Sequence, residues 1–491
     1  DKMRFRYLAY SFGLTMTYFG LLVCIPIVVS LIYKEYQSML PFLLTSILAI
    51  STGYILQKLS IIKGEIKNLN DIKKSEGLFI VTISWVLAGI IAGIPYTFYG
   101  LSIYDALFES VSGITTTGAT ILTHFNYPHA IMFWRSFTQW LGGMGIIVLF
   151  IAILPQFAVA GRQMFFAEAP GPTEDKFTPR IRSTASSLWV VYAGLTLLEI
   201  VCLIVAGMPV FDSLCNSLST VAAGGFSPNP DSIMGYHSNY ITWIVLFFMF
   251  LAGSSFNLQH RAYSKLNPFL MWKNEEFRVY FGVFAGITIL VATSLFLNDH
   301  FSIFDSITNG AYQVISLMTS TGSASSDYTH WDFSTQILLF LTMFTGACAS
   351  STGGGIKIVR WILLYKIMKV ELKKILHPNA ILNIKINDTI IQKDVLTQTI
   401  TFFMFYFGIT FISIVLITLI EHNFIIGISA PVSAIGNIGP AFGHSTGPMS
   451  NFESLHNSSK LILTFNMLIG RLELIPFLVF LEKDFYNFKI D

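Results

Sequence analysis

Long apolar runs separated by short polar stretches organise this chain. They fall at roughly 8–33, 38–57, 77–99, 136–158, 186–208, 240–257, 279–297, 334–367, 395–420 and 461–481, and about 20 apolar residues suffice for a helix to cross the hydrocarbon of a bilayer. The first run, Tyr7 to Tyr33, holds 27 residues without a Lys, Arg, Asp or Glu and follows Lys2, Arg4 and Arg6. It is too long for the core of a signal peptide and predicts a membrane span. A shorter apolar segment ending in small residues lies between the third and fourth runs, and again between the fifth and sixth, the seventh and eighth, and the ninth and tenth. The pattern predicts an all-α polytopic membrane protein with ten full spans. It begins with an N-terminal helix hairpin (1–74). Four span, re-entrant half-helix, span repeats follow (75–160, 161–265, 266–374 and 375–491) around a pseudo-fourfold axis.

The four short segments share a template. Asp105–Ala119, Asp212–Phe226, Asn309–Ser323 and Ile426–Pro440 align on Gly118, Gly225, Gly322 and Gly439, with Ser112, Ser219, Ser316 and Ser433 six positions earlier. The glycines are 107, 97 and 117 residues apart. Glycines in membrane proteins often mark close helix packing, which accounts for one such residue but not for four in register. The expected half-helices are Tyr104–Thr115, Phe211–Val221, Phe304–Thr319 and Ile425–Ala434, too short to span. Irregular backbone after a half-helix is tolerated at membrane depth only where it is surrounded by protein or faces water, and each half-helix points its partially negative end at the bilayer centre. The residues that follow are therefore candidate filter residues for a cation. They are Thr115, Thr116, Thr117 and Gly118 in the first loop, Ala223, Gly224 and Gly225 in the second, Ser320, Thr321 and Gly322 in the third, and Asn437, Ile438 and Gly439 in the fourth. Extended backbone there would present carbonyls to the ion. The side chains differ among the loops, so backbone oxygens are expected to carry most of the selectivity.

Charge fixes a direction. Segments 58–74, 162–182, 261–278 and 366–394 hold 5, 4, 4 and 6 basic residues, whereas 99–135, 208–240, 298–333 and 421–460 hold 1, 0, 0 and 1. Positive charge marks the cytoplasmic side, so the four templates are expected to open outward, with both termini inside. The outward segments carry Asp105, Glu109, Asp212, Asp231, Asp299, Asp305, Asp327, Asp332, Glu421 and Glu453, a set expected to concentrate cations at a mouth. Composition agrees: 53% of residues are hydrophobic and 12% charged, against about 25% charged in soluble domains. A net charge of +2 gives no nucleic-acid partner. The four cysteines, Cys24, Cys202, Cys215 and Cys348, form neither a disulfide framework nor a zinc spacing. The histidines are scattered, with no His-Glu-x-x-His and no nucleophile motif, so an enzyme is not expected. Neither a dinucleotide fingerprint nor a P-loop occurs, so no cofactor is expected on this chain.

The eighth run is interrupted by Gly346, Ala347, Cys348, Ala349, Ser350, Ser351, Thr352, Gly353, Gly354 and Gly355. At ~1 kcal/mol per glycine this stretch resists helix formation. It predicts an intramembrane loop beneath the third filter strand, with helix resuming at Ile356, and reads as a gate. Arg471 lies inside the tenth run, where a charge costs about 2.5–3.5 kcal/mol and demands a partner. The carbonyls of Gly346–Gly355 suit its five donors; an ion pair with Glu473 or Glu199 is the alternative. A cation/proton symporter is the rival to a pore, with Glu199 as its strongest intramembrane candidate.

Three stretches carry a family resemblance: Ser112-Gly113-Ile114-Thr115-Thr116-Thr117-Gly118-Ala119-Thr120, Gly224-Gly225-Phe226-Ser227 and Asn437-Ile438-Gly439-Pro440. With the four-unit layout they resemble the TrkH/KtrB superfamily of potassium uptake proteins, and the N-terminal hairpin looks like the TrkH type. Ser323 stands where relatives often have an aromatic residue. The resemblance implies potassium as substrate, favoured over sodium because the first filter position is Gly118 rather than serine. It also implies a gating loop at Gly346–Gly355 with Arg471 facing the pore. It further implies a homodimer in the bacterial inner membrane, docked on a cytosolic TrkA/KtrA-like ring through which alone NAD or ATP acts.

Overall fold

In a computed structural model, residues 3–62, 74–153, 181–378, 382–474 and 488–489 are described. Four dipeptide strands, β1 (Met3–Arg4), β2 (Lys385–Ile386), β3 (Thr389–Ile390) and β4 (Phe488–Lys489), make two ribbons, β1 parallel to β4 and β2 antiparallel to β3. The remaining regular structure among the described residues is helical. α1 (Phe5–Leu22), α2 (Ile25–Ile32) and α3 (Met39–Ile62) form the N-terminal hairpin. α1 and α3 approach closely where both are bare: a Cβ on Gly13 would lie 2.6 Å from the Gly53 carbonyl oxygen. Small residues at helix crossings allow this in lipid.

α4 (Lys74–Thr97), α5 (Ile103–Ile114) and α6 (His129–Ile153) come next, then α7 (Ile181–Val205), α8 (Val210–Val221), α9 (Asn239–Gly253) and α10 (Phe256–Ser264). They are followed by α11 (Phe269–Lys273), α12 (Glu275–Asn298), α13 (Ile303–Met318), α14 (Phe333–Thr342) and α15 (Ile358–Leu376). α16 (Lys393–Glu421), α17 (Phe424–Ile435) and α18 (Asn457–Arg471) complete the described helices.

Among the described residues, six helical segments are long and apolar enough to cross a membrane: Phe5–Ile32, Tyr36–Ile61, Glu76–Thr97, Leu188–Val205, Glu275–Asn298 and Lys393–Glu421. A seventh is counted if α9 and α10, bent by 99° at their junction, are one span. Each of the other four expected runs is broken for a local reason. α6 changes direction at Gly145, whose φ of 76° is not helical. The run at 240–257 ends at Gly253 and turns into α10. The eighth run divides into α14 and α15, resuming at Ile358 rather than Ile356. In the tenth, Arg471 is the last residue of α18, and 475–487 lie outside the described residues.

The short helices are α5, α8, α13 and α17. Each packs on the long helix that precedes it: α4, α7, α12 and α16 respectively. α6 also reaches α8, α9 reaches α13, and α18 reaches back to α5, which closes the set. Sequence starts three of them: the side chains of Ser102, Ser302 and Asn423 accept from backbone N–H groups of the first turn of α5, α13 and α17, supplying orphan donors with partners. Pro209 precedes α8 without a side-chain cap. Large apolar residues such as Ile289, Leu297, Phe411 and Leu419 are exposed on the outer helices α12 and α16. Serines and threonines of the short helices are buried. That inversion fits a protein whose solvent is lipid.

Candidate functional site

The four short helices end alike. Thr116, Ala223, Ser320 and Asn437, each two positions before its template glycine, have φ between 53° and 57°. Their N–H groups donate to the carbonyls of Gly113, Thr220, Leu317 and Ala434. The next N–H groups, of Thr117, Gly224, Thr321 and Ile438, donate to the carbonyls of Ser112, Ser219, Ser316 and Ser433 at 2.8–2.9 Å. This is the Schellman pair of bonds, built four times with the shared serine as its acceptor. The template serine is therefore a backbone anchor. The residue two before each glycine is left-handed rather than extended, which corrects the expectation of extended backbone along each whole loop. A left-handed residue with a Cβ costs on the order of 1–2 kcal/mol; the four caps hold it in place four times.

The template glycines then close a ring. Each has a positive φ: 83° at Gly118, 79° at Gly225, 77° at Gly322 and 107° at Gly439. A Cβ on Gly118 would lie 2.0 Å from Gly224 O, and one on Gly225 2.0 Å from Thr321 O. One on Gly322 would lie 1.9 Å from Ile438 O, and one on Gly439 2.5 Å from Thr117 O. Loop one touches loop two, two touches three, three touches four, and four touches one. A side chain at any of these positions would push neighbouring loops away from each other. Around the ring, the Thr115 and Thr117 hydroxyls are 2.8 Å apart, as are those of Thr319 and Thr321. Asn437 Nδ2 donates to Thr117 Oγ1 and to the Met467 carbonyl.

The stretch 346–355 runs across one side of the ring. Thr352 Oγ1 donates to Val221 O at 2.9 Å, and Gly354 N donates to Ser320 Oγ at 2.6 Å. A Cβ on Gly354 would lie 2.8 Å from Gly436 O. The segment therefore touches the ends of the second, third and fourth short helices. Cys348 N donates to Gly253 O, Phe256 N donates to Ser350 O, and Ala349 N donates to the buried Glu276 carboxylate at 2.7 Å. Arg471 supplies the remaining side: Nη1 donates to Thr352 O at 2.9 Å, and Nη2 to Gly142 O and Gly143 O at 2.7 and 2.8 Å. It joins the segment to α6. Glu473 instead pairs with Arg360 at 2.6 Å and Lys357 at 3.6 Å, so it is not the mate of Arg471. A cavity of about 80 Å³ lies here, lined by Gly353, Gly354, Lys357 and Arg471 among others. On the opposite, lysine-poor side, a cavity of about 140 Å³ is lined by Gly118, Gly225, Gly322 and Pro440.

Comparison with known proteins places this arrangement. The TrkH family, described as cation transport protein, matches residues 55–487. The chain belongs to the TrkH family. It is 36% identical over 491 residues to the Trk system potassium uptake protein TrkH of Escherichia coli strain K12, covering 99% of this chain and 100% of the relative. It is 31% identical over 492 residues to the Trk system potassium uptake protein TrkG of the same organism, covering 98% and 99%. The crystal structure of the potassium transporter TrkH from Vibrio parahaemolyticus superposes with a TM-score of 0.87 at 30% identity, covering 99% of this chain and 100% of that one.

Within this TrkH-family chain the thirteen candidate filter residues surround one ring, and Gly346–Gly355 with Arg471 lie on one side of it. Two residues at the site, Gln139 and Arg135, were not singled out in the sequence. Gln139 accepts from Phe226 N and donates to Gly224 O at 2.8 Å, so that carbonyl is engaged by the protein. Glu109, expected at an open mouth, is fully buried. Its carboxylate accepts from Arg135 Nε at 2.8 Å, Thr120 Oγ1 and Ile121 N, behind the first loop. Arg135 also covers the Phe226 ring at 4.1 Å. A buried Arg needs a buried acid, but nothing in the spacing of 109 and 135 announces the pair. Glu199 is buried on α7. Among the described residues no three His, Cys, Asp or Glu side chains converge as a metal site.

Proposed function

We propose that this protein takes up potassium through a gated, channel-like pore made by four linked units, with the glycine ring as selectivity filter. The observation that carries the reading is the cyclic order of the glycine–carbonyl contacts. Four loops that touch in chain order and close on themselves surround one axis, and four half-helix C-termini aim their partial negative charge toward it. A proton-coupled symporter would ordinarily place one site between two inverted halves; these units share one orientation.

The ten-span count belongs to this proposal, with α6, α9 and α10, α14 and α15, and α18 as the interrupted spans. The stretch 346–355, braced by Arg471, is the gate: it covers three filter ends and its small residues offer little resistance to withdrawal. The lysine distribution supports both termini facing the cytoplasm and the ring opening outward. Potassium is the substrate, and the chain carries no cofactor. The relatives' description as Trk system potassium uptake proteins supports the substrate, and a bacterial inner membrane is part of the proposal. A homodimer regulated by a cytosolic nucleotide-binding ring completes the proposal, with the basic segments 58–74, 162–182, 261–278 and 366–394 as its docking face.

The test is flux into proteoliposomes containing the purified protein. Potassium entry should follow its electrochemical gradient and ignore an imposed pH gradient. Obligatory, stoichiometric proton movement would overturn the pore in favour of the symporter, with Glu199 as its first suspect.

A further inference from the structure

We infer that Asp231 is the cation-collecting residue of the outer mouth, the charge that sets how readily a potassium ion enters the ring at low concentration. This rests on the pore reading above and assigns a role to one acid among ten. The cavity of about 140 Å³ touches three template glycines and Pro440, so an ion approaching the ring from the lysine-poor side passes through it. Among the described residues that line it, Asp231 is the one acid and Arg135 the one base, and Arg135 is bonded to Glu109. The cavity therefore holds a single uncompensated charge, and it is negative.

Most of the other outward acids are engaged elsewhere. Asp105 pairs with Lys460 at 2.6 Å, Asp212 accepts from Tyr236 Oη at 2.8 Å, and Asp299 accepts from Asp332 N at 2.7 Å. Glu421 faces His456. Asp231 differs. It precedes the short 3₁₀ turn Ser232–Tyr236, and its carboxylate caps none of that turn's N–H groups. Among the described residues no donor reaches it within hydrogen-bonding distance, while its own N–H is held by Asn229 Oδ1 at 2.9 Å. The turn is pinned to the third loop: Ala324 N donates to Ser232 Oγ at 3.1 Å, and Met234 N donates to Ala324 O at 3.0 Å. A solvent-exposed carboxylate at the cavity's rim is thus carried by a turn bonded to the third loop. An exposed charge at the rim of such a cleft raises local counter-ion concentration and on-rate without forming a tight site, and salt screens it.

The experiment is potassium uptake by the reconstituted full-length protein at roughly 10 mM ionic strength and at about 0.5 M, where screening shortens to a few ångströms. Asp231→Asn is expected to raise KM for potassium about two- to fivefold at low ionic strength with the maximal rate unchanged, and the difference should vanish at high salt. Asp231→Glu should restore the low KM. Glu453→Gln removes an exposed outward charge that does not line the cavity, and should change KM less than half as much. An Asp231→Asn KM equal to that of the unmodified protein overturns the assignment, as does an equal rise from Glu453→Gln. A fall in maximal rate with KM unchanged also overturns it, because that marks a structural role. Absence of potassium flux in the unmodified protein would instead defeat the pore reading, and this inference with it.

Discussion

Replacing Gly118 by alanine tests the ring at one of its crowded contacts. Three costs add. The residue sits at φ 83°, where a Cβ costs about 1–2 kcal/mol. The new Cβ would lie 2.0 Å from Gly224 O, well inside contact distance, and relieving such overpacking typically costs about 1–3 kcal/mol. Gly224 O is held at 2.8 Å by Gln139 Nε2, so the carbonyl can retreat only by weakening a bond worth about 0.5–1.5 kcal/mol. Together they come to about 2.5–6.5 kcal/mol, a large share of the ~5–15 kcal/mol that holds a typical domain together. The expected outcome is a folded protein with a lowered melting midpoint and a potassium-to-sodium permeability ratio shifted toward unity. Bi-ionic flux and a thermal denaturation curve, both in detergent or lipid, read the two effects. Gly282→Ala on α12 is the comparison, because its Cβ would meet nothing within 4 Å and should stabilise that helix by about 0.5–1 kcal/mol. If Gly118→Ala keeps both the permeability ratio and the melting midpoint, the ring is not a packed filter.

Three further outcomes are expected. Glu109→Gln, which leaves Arg135 buried without its anion, should cost about 3–5 kcal/mol, and Glu109→Leu combined with Arg135→Met should recover much of the melting temperature; equal losses in both would deny the pairing. Arg471→Ala removes three bonds to Thr352, Gly142 and Gly143 and should raise potassium leak in the absence of any partner, whereas lower or unaltered leak from a folded variant removes the gate claim. Glu276→Ala strands Ala349 N at a cost of about 1–3 kcal/mol and should also raise basal flux; Glu276→Gln keeps an acceptor and should not, and identical leak in the two variants would break the link between α12 and the loop.

Repetition made much of this protein legible from its sequence. Four glycines in register with four serines located the loops to the residue, because a backbone that needs a positive φ beside a neighbouring carbonyl admits almost nothing but glycine. The half-helices α5, α8, α13 and α17 came within one residue of expectation at each end, since apolar runs define all four locally and Ser or Asn caps three of them. What escaped were features set by distant contacts. The left-handed positions at Thr116, Ala223, Ser320 and Asn437 show four unrelated side chains, so no residue type signals them. The burial of Glu109 depends on Arg135, 26 positions away. The end of α18 at Arg471 was hidden because hydropathy continues past it while the helix ends there.

The closed contact path Gly118–Gly225–Gly322–Gly439 belongs to one polypeptide whose quadrants differ in side chain. In a ring of identical subunits every substitution is dosed four times, and a defect of about 1 kcal/mol per copy becomes about 4 kcal/mol for the assembly. Here the same change is dosed once. Each quadrant can therefore drift toward a separate task, as the third has done by splitting its outer helix into the segment that lies across the ring. A substitution that would silence a symmetric ring should leave this one graded and open to selection.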